Sequence, residues 1–342
     1  MFPTQNPQTD PDKLSRRGDS NQLLAEEKKG QDENAKADAA LAHEVDRVLW
    51  KDSAFRATDY DNIDVRVGGG IVHLYGHVSS LTNQHRAERV LQSIPGLRGV
   101  NNYLVPDDRL LAEVATALGS LEQSYDCNFF IGVSHGVVLL SGNVSDAKVK
   151  LLAEKCAASN PNVRGVINNV LVAGAELGSH DQPFLQPKIG EIIYFLDGIS
   201  GVVKHVIINP DNRRVIAMTL QGRFTVQQQE SKSLSYGKAP LAEQLVVVPT
   251  NVVRYLTKVS GFLYIRSNER NRYMDFDPNI FTVPNKDWNP PYPYHPDDVL
   301  FPVKYQSGDL QVAVEPNQLA FAKMSEDSTF KEQFFATDSF GV

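Results

Sequence analysis

The sequence contains little of what metal, redox or disulfide chemistry requires. Only two cysteines occur in 342 residues, Cys127 and Cys156, and neither belongs to a Cys-x-x-Cys pair or to a spaced set of His and Cys. Such sets hold structural zinc, and disulfide frameworks need cysteines in larger numbers. We therefore expect two reduced, mostly buried thiols, no bound metal and no cofactor.

Long apolar runs and excess positive charge are also missing. No stretch of about 18 apolar residues is present, which excludes a spanning helix, and the N-terminal segment lacks the apolar run of a secretory signal. The formal net charge is -7. This charge argues against nucleic acid as a partner, because a duplex-binding protein needs a basic surface to displace counterions. Together these absences predict a cytoplasmic protein, or one peripheral to the inner membrane.

What the sequence does contain is an internal duplication. The stretch VGGGIVHLYGHVSS at residues 67–80 returns as VSHGVVLLSGNVSD at residues 133–146. Several glycines, prolines and arginines keep their register in both copies. They are Gly70 and Gly136, Gly76 and Gly142, Pro95 and Pro161, Arg98 and Arg164, and Gly99 and Gly165. The chain therefore carries one module twice.

The first half of each copy has the period of a helix followed by a hairpin. Leu41, Val45 and Leu49 fall on one helix face at i, i+4 and i+8. Apolar residues then alternate with polar ones between positions 63 and 74, which predicts two strands. The glycines at 68–70 between them lack the spacing of a phosphate-binding loop, so we interpret them as a hairpin turn.

A second helix and a third strand complete each copy. Ser79 or Ser80 is placed to cap the helix. One question of register stays open in the second copy. The Asn pair at 101–102 matches the Asn pair at 168–169 only if one residue is inserted near Ile167. A slip of one residue would exchange the buried and exposed faces of that strand.

These α-β-β-α-β units resemble the BON domain. The matching segments are GGGIVHLYGHV with LRGVNNYLV in the first copy, and SHGVVLLSGNV with VRGVINNVLV in the second. The resemblance implies two non-enzymatic modules, at residues 36–107 and 108–173. It also implies a bacterial envelope or stress-response protein. Members of the family are proposed to bind phospholipid, and one of them senses potassium.

The region after the duplication is predicted to be all β. A linker at residues 174–187 precedes a segment, 188–267, in which short apolar runs are separated by turn residues. Such a pattern predicts a small barrel. The order of its motifs, from Ile189-Gly190 through Asn209-Pro210-Asp211 to Val248-Pro249, resembles a PRC-barrel domain. This resemblance implies a docking or assembly module.

Both ends of the chain are predicted to be irregular. Residues 1–35 are too polar to bury much surface, which indicates a mobile arm. Residues 268–342 form an arm rich in proline and aromatics. We favour an arm that wraps its own barrel over a polyproline ligand for a partner. The Phe-rich tail, residues 330–342, is a candidate contact for a homo-oligomer.

Two histidines and three aspartates invite a metal hypothesis. His73 and His77 lie close together, but the second copy has Leu and Asn instead, so we favour an exposed strand. Asp59, Asp61 and Asp64 lack the glycine and distal glutamate of an EF-hand, so we favour a solvated loop.

Catalytic groupings are not evident. Ser134 and His135 are adjacent, but no positioned acid or oxyanion hole supports them as a nucleophile and base. An enzyme is therefore not expected.

Basic residues on the second helices are the candidates for lipid binding. They are Arg86 and Arg89 in the first copy, and Lys148, Lys150 and Lys155 in the second. Near an anionic membrane each charge contributes about 1 kcal/mol, and a solvated helix face is the alternative. For Arg98 and Arg164, we expect a salt bridge or a backbone contact that fixes the start of the third strand.

The sequence thus predicts an α+β chain of two BON-like modules, a PRC-like barrel and an extended C-terminal arm. The leading hypothesis is a non-catalytic cytoplasmic scaffold that associates with membrane phospholipid or with a protein partner. Two alternatives stay open. One is a sensor for an ion or small ligand, and the other is a self-assembling structural protein.

Overall fold

The computed structural model describes residues 12–174, 184–224, 243–257 and 259–303. The predictions for residues 1–11, for most of the linker and for the Phe-rich tail fall outside these ranges. The chain divides into two units, Met1–Arg109 and Leu110–Val342.

The first unit has the predicted α-β-β-α-β order with one short helix added. Its elements are α1 (Asp12–Lys51), α2 (Ser53–Thr58), β1 (Ile63–Gly68), β2 (Ile71–Val78), α3 (Leu81–Leu91), β3 (Gly99–Asn102) and β4 (Val105–Pro106). Strand β2 pairs antiparallel with β1 and parallel with β3. Ser80 caps α3 by accepting the Asn83 N–H. Leu41, Val45 and Leu49 of α1 are buried as predicted, in one core with Leu74 of β2.

Helix α1 is longer than the composition predicts. It begins at Asp12, so residues 12–35 are helical where a mobile arm is expected. The segment lacks the apolar residues of a core, but it is rich in Ala, Glu, Lys, Gln and Arg. These residues have high helix propensity. Low hydrophobicity therefore excludes a buried segment here without excluding a helix.

The second copy repeats the same order. It comprises α4 (Asp107–Tyr125), β5 (Asn128–Ser134), β6 (Val137–Val144), α5 (Ala147–Ala158) and β7 (Gly165–Val172). The strand pairing answers the question of register. Asn102 lies opposite Leu74, and Asn168 lies opposite Leu140 in the matching place. Asn102 and Asn168 are therefore equivalent, and no residue is inserted.

These two asparagines hold the third strand to the second helix. The Asn102 Nδ2 donates to the Gln84 carbonyl at 2.8 Å, and the Asn168 Nδ2 donates to the Lys150 carbonyl at 2.9 Å. In each copy the asparagine Oδ1 also accepts the main-chain N–H two residues further along. The asparagine fixes the register of its strand, since a shifted strand would lose both bonds.

The rest of the second unit is one nine-stranded sheet. Its strands are β8 (Ile192–Tyr194), β9 (Ser200–Asn209), β10 (Arg214–Gly222), β11 (Gln244–Pro249), β12 (Val253–Leu256), β13 (Ser260–Leu263), β14 (Met274–Asp275), β15 (Phe281–Thr282) and β16 (Val299–Pro302). The order is β12-β13-β8-β9-β10-β11-β14, with β16 on β9 and β15 on β16. No pairing between the described strands closes this sheet, so the predicted barrel is not shown.

The C-terminal arm explains part of this difference. Two strands share one edge of β9. Strand β8 pairs with this edge near Val202, and strand β16 pairs with it near Val206. The arm therefore occupies an edge that a neighbouring barrel strand would otherwise use. Within residues 268–303, Tyr294 is buried and Trp288 packs against the core of the sheet. This part of the arm thus packs on its own sheet.

Candidate binding surfaces

Arg98 and Arg164 make the same backbone contacts in the two copies. The main-chain N–H of each donates to the carbonyl of the hairpin glycine, Gly70 or Gly136, at 2.8 Å in both cases. Each guanidinium also donates to the carbonyl of the turn residue before that glycine, at 3.3 and 3.0 Å. Of the two roles expected for these arginines, the structure shows the backbone contact that fixes the start of the third strand.

A buried arginine in the turn between β9 and β10 joins the second copy to the nine-stranded sheet. Arg213 is 3% exposed. Its Nε donates to the Val163 carbonyl at 2.6 Å, and its Nη2 donates to the carbonyls of Pro161 at 3.3 Å and Asn289 at 2.8 Å. The guanidinium lies 5.0 Å from the centre of the Trp288 ring. We call this contact the Arg213 joint.

In the Arg213 joint, carbonyl dipoles and an aromatic ring stabilise a buried positive charge. Burial lowers the pKa of Arg213 to about 10, so the guanidinium remains charged at neutral pH. Desolvation of a charge is costly unless it is hydrogen-bonded. Three carbonyl bonds and a cation–π contact offset that cost. The joint therefore fixes how the second copy, the turn and the arm meet.

Two further contacts belong to the Arg213 joint. The Val166 N–H donates to the Asn212 carbonyl at 2.8 Å, next to the guanidinium. Lys155 of α5 forms an ion pair with Asp211 at 3.4 Å. The sequence predicts a turn at residues 209–212, but it gives no partner for the arginines that follow. The pair of arginines directly after this turn, Arg213 and Arg214, is the sequence feature that could have indicated such a contact.

The face of the first sheet that points away from the core carries stacked aromatic rings. Tyr75 stacks on Tyr103 with ring centres 5.1 Å apart, and His73 stacks on Tyr103 at 6.2 Å. The Arg66 guanidinium lies 5.1 Å from the centre of the Tyr75 ring. Tyr103 is 53% exposed. We call His73, Tyr75 and Tyr103 the aromatic stack.

The corresponding face of the second copy carries leucine and phenylalanine side chains instead of the aromatic stack. Leu139 stands where the first copy has His73, and it is exposed together with Phe130 and Leu171. Phe130 lies opposite Ser141, and Leu171 lies opposite Asn143. Both copies therefore present apolar or aromatic side chains on an uncovered strand surface, and contiguous patches of this kind are typical of interaction sites.

His73 and His77 lie in different environments. His77 is buried whereas His73 belongs to the aromatic stack, so the prediction of an exposed strand is wrong for His77. Gly76 between them has a φ of +117°, which ends the regular alternation of faces. Within the described ranges, no cluster of three His, Cys, Asp or Glu side chains is placed to hold a metal ion.

Asp59 has a structural role that the sequence does not reveal. The prediction of a solvated loop is wrong for Asp59, which is buried. Its carboxylate accepts the Ser79 N–H at 3.0 Å, the Ser79 Oγ at 3.2 Å and the Asn83 Nδ2 at 2.7 Å. Asp59 therefore ties the segment before β1 to the start of α3.

The two thiols and the Ser134–His135 pair lie apart from the Arg213 joint and the aromatic stack. Cys127 and Cys156 are free and half-buried rather than mostly buried, and burial raises the pKa of both. The Ser134 Oγ lies 3.4 Å from His135 Nδ1 on an exposed turn.

These two repeated units were compared with known proteins. The BON domain model matches residues 37–105 and 129–174. The second segment begins within β5 and so leaves out α4, and neither segment extends to the nine-stranded sheet. No curated protein matches the chain.

Solved structures with some likeness include two of CdsD, a structural protein of the Type III secretion system of Chlamydia trachomatis. The first is 19% identical, covers 44% of this chain and 70% of that chain, and has a TM-score of 0.34. The second, of the C-terminal domain of CdsD, is 12% identical, covers 39% of this chain and 96% of that chain, and has a TM-score of 0.17.

The basic residues on the second helices of the two copies divide into two groups. Arg86 forms an ion pair with Asp52 at 2.8 Å, and Lys155 pairs with Asp211 in the Arg213 joint. Burial opposes the ionisation of Asp52, but bonds from Arg86 and from two N–H groups of α2 hold the pKa of Asp52 below its ordinary value. These ion pairs engage both cations within the chain.

The remaining three basic residues differ in exposure. Arg89 and Lys148 are exposed, and Lys150 is half-buried. In the part of the chain that the structure describes, no helix is both long and apolar enough to cross a membrane. Of these three residues, Arg89 and Lys148 are the more accessible to solvent.

Proposed function

We propose that this chain is a non-catalytic scaffold protein whose BON copies are docking modules. The supporting observation is the Arg213 joint, in which the second copy binds another folded part of the same chain. The contact combines a buried guanidinium, a strand-edge bond and an ion pair. A module that docks in this way within one chain is suited to dock on other proteins.

The aromatic stack is the proposed surface for a protein partner. Tyrosine and arginine are enriched at protein interfaces, where rings give a large contact area with little loss of side-chain entropy. Tyr75 and Tyr103 are already held in place by stacking, and Arg66 lies over Tyr75. The surface is therefore ordered before a partner binds, which lowers the entropic cost of association.

Affinity capture with the full chain tests this proposal. We expect Tyr103→Lys to weaken retention of a stoichiometric partner from native lysate by about tenfold or more, because a central interface tyrosine commonly contributes over 1.4 kcal/mol. Leu151→Lys is the matched control, since Leu151 is similarly exposed but lies on α5. The docking surface would be excluded if a partner is retained equally by both variants.

An anionic phospholipid surface is the second candidate, and the exposure of Arg89 and Lys148 favours it. We expect the chain to float with vesicles of phosphatidylcholine and phosphatidylglycerol at low salt, where surface attraction is strongest. Arg89→Glu with Lys148→Glu should weaken binding by at least about 1 kcal/mol per site.

Arg254→Glu provides the control for the flotation experiment, because Arg254 is an exposed residue of the nine-stranded sheet. It reverses one positive charge, as Arg89→Glu and Lys148→Glu each do singly, and it does not touch α3 or α5. If the unaltered chain stays with the soluble fraction at low salt, the lipid hypothesis is wrong. Equal losses from all charge reversals would indicate a nonspecific effect of net charge instead of a helix surface.

A further inference from the structure

Strand β5 forms one edge of the three-stranded sheet in the second copy. The strand order is β5-β6-β7, and among the described strands β5 pairs with β6 alone. Its sequence, Asn-Phe-Phe-Ile-Gly-Val-Ser, keeps an unbroken register with β6 and contains no charged residue and no proline. Proteins commonly protect an exposed strand edge with charges, prolines or bulges, because its unpaired main-chain groups can accept a further strand. Strand β5 has none of these protections.

The hairpin turn shows which main-chain groups of β5 point away from β6. Residues 135–136 form a two-residue turn with φ values of +47° and +79°. Such a turn is closed by a hydrogen-bonded pair, here Ser134 and Val137. Hydrogen-bonded and non-hydrogen-bonded pairs alternate along an antiparallel ladder. The N–H and C=O groups of Ile131 and Val133 therefore point away from β6, toward the open edge.

A side chain limits this open edge at its beginning. The Phe129 N–H, which points the same way, donates to the Glu122 carboxylate at 2.8 Å. The edge groups that are left belong to Ile131 and Val133, which provide one donor and one acceptor on either side of Gly132. This pattern is symmetric about the glycine. An antiparallel strand with the same pattern can therefore complete all four hydrogen bonds.

The matching strand of the first copy is a protected edge. In β1, Asp64 stands where β5 has Phe130, and Arg66 stands where β5 has Gly132. Asp64 and Arg66 form an ion pair at 3.2 Å. A strand added to β1 would take water away from these charges, whereas a strand added to β5 meets none. The duplication thus places one protected and one unprotected edge on the same fold.

We infer that two copies of the chain pair antiparallel through β5, about a two-fold axis at Gly132. The inference goes beyond the proposed docking function and does not rest on it. In this register Ile131 of each chain exchanges two main-chain hydrogen bonds with Val133 of the other. Gly132 lies opposite Gly132 of the second chain in a non-hydrogen-bonded pair, where the two backbones approach most closely. The two three-stranded sheets then form one sheet of six strands.

Side chains on the outer face of the sheet fit a second copy of the chain. Phe130 is 71% exposed, and in the paired strands its ring lies beside the Gly132 residues of both chains. An aromatic ring next to a strand glycine supplies the packing that the glycine lacks. Phe129 lies opposite His135 of the second chain, so the Glu122 carboxylate meets a turn without an acidic residue. Each contact occurs twice, as an interface between identical surfaces requires.

Sedimentation equilibrium of the full chain tests the pairing. We expect a dimer with a Kd below about 100 µM. Phe130→Asp gives β5 the residue that β1 carries at this position, so it should weaken the dimer at least about tenfold and leave thermal unfolding unchanged. Leu171→Asp is the matched control, because Leu171 is exposed on the same sheet face but lies on β7. This control variant should form dimers like the unaltered chain.

Cysteine substitutions test the register. In a chain that carries Cys127→Ser and Cys156→Ser, Gly132→Cys places two thiols at the axis, with Cα atoms about 4.5 Å apart. That distance permits a disulfide, and a Cβ on Gly132 would meet only an ordinary contact at 3.8 Å. We expect the oxidant diamide to link the two chains. Ser134→Cys is the control, since its two copies would lie about 14 Å apart and should not be linked.

Four results would overturn the inference. The first is a monomer at about 100 µM chain, and the second is equal weakening by Phe130→Asp and Leu171→Asp, which would indicate a contact between sheet faces. The third is linkage of Ser134→Cys as efficient as that of Gly132→Cys. The fourth is a dimer that survives Phe130→Asp but is lost when residues 330–342 are removed, which would assign the contact to the Phe-rich tail. None of these results bears on the Arg213 joint or on the aromatic stack.

Discussion

Gly76→Ala should unfold the first copy of the repeated module or cost about 4 kcal/mol or more of its stability. Gly76 has a φ of +117°, and a Cβ at this position would lie 1.9 Å from the Asn62 carbonyl oxygen. That oxygen belongs to the main chain directly before β1, so a rotamer change cannot relieve the clash. The loss of strand pairing between β1 and β2 would then expose the core.

Denaturant unfolding of the full chain, combined with amide hydrogen exchange, separates this effect from changes elsewhere. The protection of main-chain amides from exchange should fall in β1, β2 and α3, and it should remain in the second unit. Gly142→Ala is the equivalent change in the second copy, where the Cβ would lie 2.5 Å from the Asn128 carbonyl oxygen. We expect a smaller but still severe loss there.

Gly68→Ala serves as the negative control, since nothing lies within 4 Å of its Cβ and its φ is ordinary. This change should alter stability by less than about 1 kcal/mol. If Gly76→Ala proves as mild as Gly68→Ala, the close approach at Asn62 does not constrain the first copy.

The repeated frame could be predicted because the duplication marks its residues, although Arg98 and Gly69 lie 29 positions apart. The glycines of the hairpin turn and the arginines before the third strand recur at the same spacing, and the structure gives them the same bonds. The role of Asn102 and Asn168 follows from the same comparison once the register is known. Sequence alone left two alignments, since each copy contains two adjacent asparagines.

The buried polar groups could not be predicted, because their partners lie far away in the sequence. Asp59 is buried by bonds to Ser79 and Asn83, which follow β1 and β2. An Asp in a polar run has the same local pattern whether or not those donors reach it. Burial of Arg213 likewise depends on the carbonyl of Val163, 50 positions away.

The pairing of strands in the nine-stranded sheet could not be predicted for a different reason. Turn residues and apolar runs predict where strands begin and end, but not which edge of β9 is taken by which strand. The arm strand β16 pairs with β9 across a long sequence separation. Its two-residue ladder leaves no periodic signal that sequence reasoning could detect.

Replacement of Arg213 should have the second large effect. We expect Arg213→Met to cost about 3 kcal/mol, because the carbonyls of Val163, Pro161 and Asn289 would stay buried without their donor. Methionine has a similar length and is also a non-glycine residue at a φ of +59°. The change therefore removes the hydrogen bonds and the charge while the backbone strain is retained.

Two further variants separate the charge from the geometry of the guanidinium. Arg213→Lys keeps the charge, but lysine cannot reach three carbonyls in a planar fork. The loss of stability should therefore be only slightly smaller than that of Arg213→Met. Arg223→Met removes an exposed arginine just after β10 and should alter stability by less than about 0.5 kcal/mol. An Arg213→Lys variant as stable as the unaltered chain would show that charge alone maintains the joint.

The readout that distinguishes docking from general stability is the protection of a single amide. The Val166 N–H donates to the Asn212 carbonyl across the joint, whereas the Val170 N–H is held within the second copy by Asn168. If Arg213 acts as a docking residue, Arg213→Met should accelerate exchange at Val166 far more than at Val170. Equal acceleration at both amides would mean that Arg213 stabilises the second copy itself, and the proposal of a docking module would lose its main support.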